Sequence, residues 1–335
     1  MTTDYGLLTD FNYNDESYQR ELQAEIVDQI AFQSSGLLAE TNVIQAGDQG
    51  DYAVVTQYPT IADTPQRLTT SGTLNVNDFS DYKQRAAWMT RGDAWGIDNL
   101  VNVIAKKDPI DELTRQLANV IAKMVQTSAI NALAGIMATA LASTHSTGAT
   151  YAGATINYPA VLGAKQLLGD AQQSLVCGVA NSKVINDAVQ LNIAEFAAGL
   201  VGNEAAMTGK LATLAGMTMY MEDALTISTD IYNTYLGAKG AVGYKFDNWV
   251  RRKADGSGDV VTASKVDIEF DRDPYTGGGI DILIFRAKYL VHPFGMQYDD
   301  TGGANPTDST LATGSSWTKV ADDDRKIKIV QLRTA

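Results

Sequence analysis

Residues 108–143, DPIDELTRQLANVIAKMVQTSAINALAGIMATALAS, contain a helix start, a readable helix face and unusual length. Asp108 is a good N-cap, Pro109 suits a first helical position whose N–H has no partner, and Asp111 and Glu112 place negative charge on the positive end of the helix dipole. At about 100° per residue, Ile110, Leu113, Leu117, Val120, Ile121 and Met124 form one stripe, with Arg115, Asn119 and Lys123 opposite. This half reads as lying on a surface. Beyond Gln126 the polar side turns apolar through Ile130, Leu133, Met137 and Leu141, while the first stripe continues as Ser128, Ala132 and Gly135. That half is expected to be covered on both sides, with Gly135 marking a close approach of another backbone. At about 1.5 Å per residue the segment reaches roughly 50 Å, long enough to act as a spine.

Upstream, 15–38 reads as a shorter amphipathic helix, with Tyr18, Leu22, Ile26 and Ile30 at helical spacing and Gly36 near its end. It is a candidate arm. Residues 48–58 are extended, with Tyr52, Val54 and Val55 before Pro59, and 73–79 are extended again; together they predict a long hairpin over 48–80. Its middle, TIADTPQRLTTSG, includes Ile61, Pro65, Arg67 and Leu68 and is too poor in large apolar residues to order itself. It is expected to project and to be stabilised by a neighbouring subunit. Residues 82–99, with Trp88, Met89 and Trp95 around Arg91-Gly92-Asp93, predict a strand and turn packed under the spine. Used for adhesion, the Arg-Gly-Asp tripeptide needs an exposed loop tip.

Downstream, 145–155 is a loose Ser/Thr/Gly segment. Helical 159–174, buried strand 175–180 and helical 182–196 suggest an α/β region, to which 209–221 and 234–246 add strands. Residues 254–259 read as a hairpin tip; counted from Asp255, a calcium loop fails because its twelfth position is Val266 instead of glutamate. Residues 266–270 and 280–291 alternate as long strands joined through 271–274 and a triple glycine, 277–279, which reads as a turn because no helix follows it. A polar stretch, 299–316, precedes Trp317 and a basic-apolar strand at 326–332.

The chain has 335 residues and a formal charge of −13, which disfavours a free subunit that grips nucleic acid or anionic membrane by charge. Its one cysteine, Cys177, lies in an apolar run and reads as buried and inert. No stretch reads as a membrane span and no export signal opens the sequence, so cytoplasmic synthesis is expected. His145 and His292 are the only imidazoles and neither has a readable partner. Nucleophile elbow, dinucleotide fingerprint, Walker loop and metalloprotease helix are all missing, which disfavours an enzyme, and no cofactor or metal is expected. Asp322, Asp323 and Asp324 read as a solvated turn.

The order of parts, with Asp108-Pro109, Leu133 to Ile136, Gly240-Ala241-Val242, Glu269 to Asp273, His292-Pro293-Phe294-Gly295, Asn305-Pro306-Thr307, Leu311 and Trp317, resembles the major capsid proteins of tailed bacteriophages. The resemblance implies an α+β, HK97-like capsid fold. It implies an N-terminal arm (1–47), an extended loop (48–80), a peripheral domain built on the spine (81–145 and 265–290) and an axial domain with the C-terminal segment (146–264 and 291–335). It further implies a homo-oligomer of hexamers and pentamers forming an icosahedral virion shell around double-stranded DNA, assembled in the host bacterial cytoplasm through a precursor that expands. A portal protein and a cement protein are implied partners. The roughly 48 residues before the hairpin are too few for a fused scaffolding domain, so a separate scaffolding protein is expected.

Expected inter-subunit residues are Tyr52, Ile61, Pro65, Arg67, Leu68, Leu22 and Ile26; Asp108, Pro109, Leu117 and Gly135 are the packing positions of the spine. Some members of this family link a loop lysine to a neighbour's asparagine. Residues 48–80 contain Arg67 and no lysine, the first being Lys83, so a non-covalent shell is expected. The competing readings are a cytoplasmic α/β hydrolase using His292 or the acidic groups and a tail or adhesion protein using Arg91-Gly92-Asp93.

Overall fold

A computed structural model of the chain describes residues 31–46, 52–61, 67, 81–98, 110–147, 154–191, 194–196, 212–228, 230–252, 260–273, 279–299 and 303–335. Their contacts fall into two units, one drawn from Arg91–Val125 and Asn248–Ala287, the other from Ala31–Thr90, Gln126–Asp247 and Lys288–Ala335.

The spine is a helix over Ile110–Ala138. It stops before the expected end at residue 143. Leu141 N–H donates to Ile136 O at 2.9 Å, a wider turn than the helix makes, and His145 N–H then closes on Leu141 O. Just past the helix end Thr139 lies against Gly314, where an added Cβ would overlap its hydroxyl. Leu117, Ile121 and Val125 are buried, as are Ser128, Ala132, Leu133, Gly135, Ile136 and Met137, whereas Val120 on the first stripe is exposed. By length and apolarity Asn119–Ala138 is able to cross a membrane, contrary to the sequence expectation, but most of it is buried in the fold. Asp108 and Pro109 lie outside the described residues.

In the first unit, strand Val266–Asp273 runs antiparallel to the start of Ile280–Pro293, from Asp273↔Ile280 to Val266↔Ala287. Strict alternation buries Val266, Ile268, Leu283 and Phe285 on one face. Asp267, on the other face, is fully buried, and Arg286 Nη1 reaches its Oδ2 at 3.1 Å and Glu269 Oε2 at 2.8 Å. Arg91-Gly92-Asp93 does not form a turn. It lies inside strand Met89–Asp98, and a Cβ on Gly92 would sit 2.7 Å from Phe285 O; Trp95 stacks on the Phe285 ring at 5.6 Å. Strands Trp249–Arg252 and Val260–Ser264 form a separate hairpin.

The second unit holds a seven-stranded sheet. Ile231–Gly237 is central, flanked by Ile329–Thr334 on one edge and by Cys177–Ala180 and Thr226–Ser228 on the other; Met217–Met221, Ala212–Leu214 and Ala194–Phe196 extend it. The expected helix over 159–174 is an α-helix over Tyr158–Gln166 followed by a 3-10 turn over Gly169–Ser174, and the helix expected over 182–196 covers Ser182–Gln190, with 194–196 in the sheet. Asn157 caps the first α-helix through Ala160 N–H and Asn181 caps the second through Lys183 N–H. Both pack on the sheet through Val161, Ala164, Val184, Ala188, Met219 and Leu332. The 209–221 run splits into two strands at Ala215 and Gly216, both at positive φ. Within 15–38, the described helix is Ala31–Ser34; Gly36 at φ 75° turns the chain and Leu38 already belongs to a strand paired with Val242.

Candidate functional site

The base of the hairpin brings together several separate segments of the chain. Tyr52–Gln57 pairs antiparallel with Tyr82–Ala87, from Tyr52↔Ala87 to Gln57↔Tyr82, with Gln45–Ala46 as a third strand. The pairing begins outside the expected return strand, for 73–79 lies outside the described residues. Ala53, Val55 and Ala86 point inward and meet Ile44, Trp88 and Leu290 in a small core. Tyr52, half-buried, has the Arg85 guanidinium over its ring at 4.9 Å, and Arg85 Nε donates to Tyr298 O.

Gln84 is a polar residue at an inward position of this ribbon and is fully buried. Its Oε1 accepts from Gly295 N–H at 3.0 Å and from His292 Nε2 at 3.1 Å. The first of these bonds fixes the amide orientation, and the second then requires the Nε2–H tautomer. Burial pushes the His292 pKa down to about 4, so the ring is neutral, and among the described residues Nδ1 has no hydrogen-bond partner. Gly295, at φ 92°, offers its carbonyl to Val320 and Ala321 N–H. His292-Pro293-Phe294-Gly295 is therefore a joint between hairpin and C-terminal segment.

Where the hairpin leaves its paired strands, two backbone groups are held by side chains of that C-terminal segment. Lys326 Nζ donates to Tyr58 O at 3.1 Å, and Thr60 N–H donates to Asp322 Oδ2 at 2.8 Å; Lys326 and Asp322 pair at 2.6 Å. Lys326 also lies over the Tyr82 ring at 5.8 Å. The lysine and the Thr60 N–H hold the Asp322 carboxyl well below the usual carboxylate range. Asp323 caps and pairs with Arg325, and Asp324 pairs with Lys319, so each member of the acidic triplet has a cationic partner. Outward of this contact Tyr58 is 63 % and Ile61 74 % exposed, and Arg67 is exposed.

The same C-terminal segment crosses the spine at Gly135. Trp317 Nε1 donates to Leu311 O at 2.8 Å, and a Cβ on Gly135 would overlap that carbonyl and sit 2.8 Å from the indole nitrogen. Seven residues earlier on the spine, Ser128 Oγ donates to Asp308 Oδ1 and is 2.9 Å from Tyr289 OH. Leu117 is 1 % exposed; Pro65, Leu68, Leu22 and Ile26 lie outside the described residues. Sequence reading missed Gln84, Lys326 and Thr60. An inward-facing glutamine in an alternating strand was a usable signal; a contact spanning 262 residues leaves none.

Cys177 and His145 are both buried. Cys177 donates to Gly237 O and burial raises its pKa to about 11. His145 is buried, with burial the main influence lowering its pKa, and its Nε2 lies 3.0 and 3.1 Å from the carbonyls of Asp324 and Ile327. Among the described residues no three His, Cys, Asp or Glu side chains gather into a metal site.

No family model matches the chain. It is similar to the major capsid protein of Bacillus phage SPP1, 25 % identical over 264 residues that cover 75 % of this chain and 73 % of that one. Among solved structures it is similar to the acidic stable capsid of the Helicobacter pylori bacteriophage KHP30, with TM-score 0.54, 10 % identity and coverage of 89 % of this chain and 87 % of that one. It is also similar to the capsid asymmetric unit of cyanophage Pam1, with TM-score 0.52, 10 % identity and coverage of 79 % and 88 %. In sequence and in fold the chain is similar to phage major capsid proteins. Its fold is the HK97-like α+β capsid fold, its role is structural, and it is a virion component that assembles with copies of itself. The ribbon at residues 52–57 and 82–87 is fastened to the C-terminal segment through Gln84, Asp322 and Lys326.

Proposed function

We propose that the chain forms hexamers and pentamers of an icosahedral head that encloses double-stranded DNA without reading its sequence. The observation that carries this reading is the hairpin root: a ribbon anchored in its own core that leads out through exposed Tyr58 and Ile61 into a segment too polar to order itself. Tyr52, Ile61, Pro65, Arg67 and Leu68 of the loop, and Leu22 and Ile26 of the arm, are the proposed contacts with neighbouring copies. Asp108, Pro109, Leu117 and Gly135 are the proposed packing positions of the spine.

The proposed organisation is an arm over 1–47, an extended loop over 48–80, a peripheral domain over 81–145 and 265–290, and an axial domain with C-terminal segment over 146–264 and 291–335. Assembly takes place in the host cytoplasm on a separate scaffolding protein, around a portal, through a precursor that expands, and a cement protein is a further partner. The role involves no catalysis. Negative-stain microscopy of the expressed protein, with and without the scaffolding protein, tests the proposal. Closed shells built of hexameric and pentameric units support it; a monomer or small oligomer under both conditions refutes it.

A further inference from the structure

The two backbone anchors at the hairpin exit call for a role of their own. Past Gln57 and Tyr82 the ribbon has no further pairing among the described residues, so strand hydrogen bonds no longer set its direction. Tyr58 O and Thr60 N–H are alternate backbone groups on the outgoing chain, and both are taken by one ion pair, Lys326 with Asp322. Holding a carbonyl and an amide two residues apart fixes both the position and the twist of the chain between them.

The ion pair is itself held from behind. Ala321 N–H donates to Gly295 O, and the carbonyls of Asp324 and Ile327 lie within hydrogen-bond distance of His145 Nε2, so the turn over residues 321–327 is fixed at both ends. A surface ion pair alone contributes little. Here each partner also makes a charge-assisted hydrogen bond to backbone, and the geometry is supported by buried contacts.

We infer that Asp322 and Lys326 form a latch that sets the direction in which the extended loop leaves the subunit, and that shell closure depends on it. The inference rests on the capsid reading above. The latch acts within one subunit, by holding the backbone at Tyr58 and Thr60 in a fixed position. Loss of the latch therefore leaves a folded subunit whose loop departs over a range of angles.

The test uses the full chain in three forms: wild type, Asp322→Asn and Asp323→Asn. Asp323 is the control, because its carboxylate serves Arg325 and not the hairpin. Two measurements are made on each form. Hydrogen exchange of the unassembled subunit reads the Thr60 amide, and electron microscopy reads the assembly products. Asp322→Asn keeps an acceptor for Thr60 but loses the charge that binds Lys326, so the Thr60 amide is expected to exchange roughly tenfold faster as its bond weakens from a charged to a neutral acceptor, with open sheets or irregular particles instead of uniform shells. Asp323→Asn is expected to match wild type in both.

Unchanged exchange at Thr60 overturns the latch whatever the particles look like. Faster exchange with uniform closed particles overturns its role in assembly. Failure of the wild type to form shells with and without the scaffolding protein refutes the capsid reading and leaves the exchange result to judge the latch alone. If Asp322→Asn does not fold, Lys326→Met with the same two readouts replaces it.

Discussion

Gly135 and His292 sit in tight surroundings and respond to change in different ways. At Gly135 the constraint is steric: Leu311 O and the Trp317 indole occupy the space of any side chain. Gly135→Leu is expected to lower stability by about 1–3 kcal/mol or more, read as a lower thermal midpoint and less soluble subunit. Unchanged melting would show that the C-terminal segment does not press on the spine as described. At His292 the constraint is electrostatic. The folded pKa is about 4 and the ordinary value is 6.5, so between these values the unfolded chain binds the extra proton. Stability from this site is complete above pH 6.5 and is lost as pH falls through 4, by roughly 3 kcal/mol in all. His292→Gln keeps a donor for Gln84 and removes the titration. The stability difference between pH 7 and pH 4.5 should therefore be smaller in the variant, as chemical denaturation at both pH values would reveal; an equal difference contradicts a neutral, buried imidazole.

Among elements, the hairpin carries the clearest expectation. Removing 61–71 and bridging with glycine leaves the latch at Tyr58 and Thr60 and the ribbon core of Ala53, Val55 and Ala86 intact. The product is expected to be folded and soluble by circular dichroism and sedimentation but unable to close shells; normal particles would remove the loop from the assembly contacts. The spine, the alternating strand at 266–270 and the apolar run ending at Ala180 were readable because their signals are local: a cap, a period, a run of buried residues. Elements whose limits depend on distant chain were misjudged. The spine ends at Ala138, where the next residue already meets Gly314, and 194–196 is a strand because residues 212–214 offer it a partner. Arg91-Gly92-Asp93 looked like a turn by composition, yet Gly92 is there to let the strand approach Phe285 O. At the candidate site, Tyr52 and Ile61 were legible as loop residues, while the joint at Gln84 and the latch at Lys326 arise only when segments more than 200 residues apart meet.

For the assembled molecule the chemistry of cross-linking makes a simple prediction. Residues 48–80 hold no lysine, Lys83 is already paired opposite Thr56 in the ribbon, and Cys177 is buried. Particles boiled in detergent without reductant are expected to run as one band near 35.9 kDa. A ladder of multiples would overturn this and single out Lys83. The seven-stranded sheet has a consequence of a different kind. Its central strand, Ile231–Gly237, takes one full edge from Ile329–Thr334, nearly a hundred residues later. On a ribosome adding about 5–20 residues per second, that edge stays bare for several seconds and is filled only once residue 334 has cleared the exit tunnel. Until then an unfinished polypeptide lacks the closing strand and carries an open sheet edge, a template for pairing with another chain.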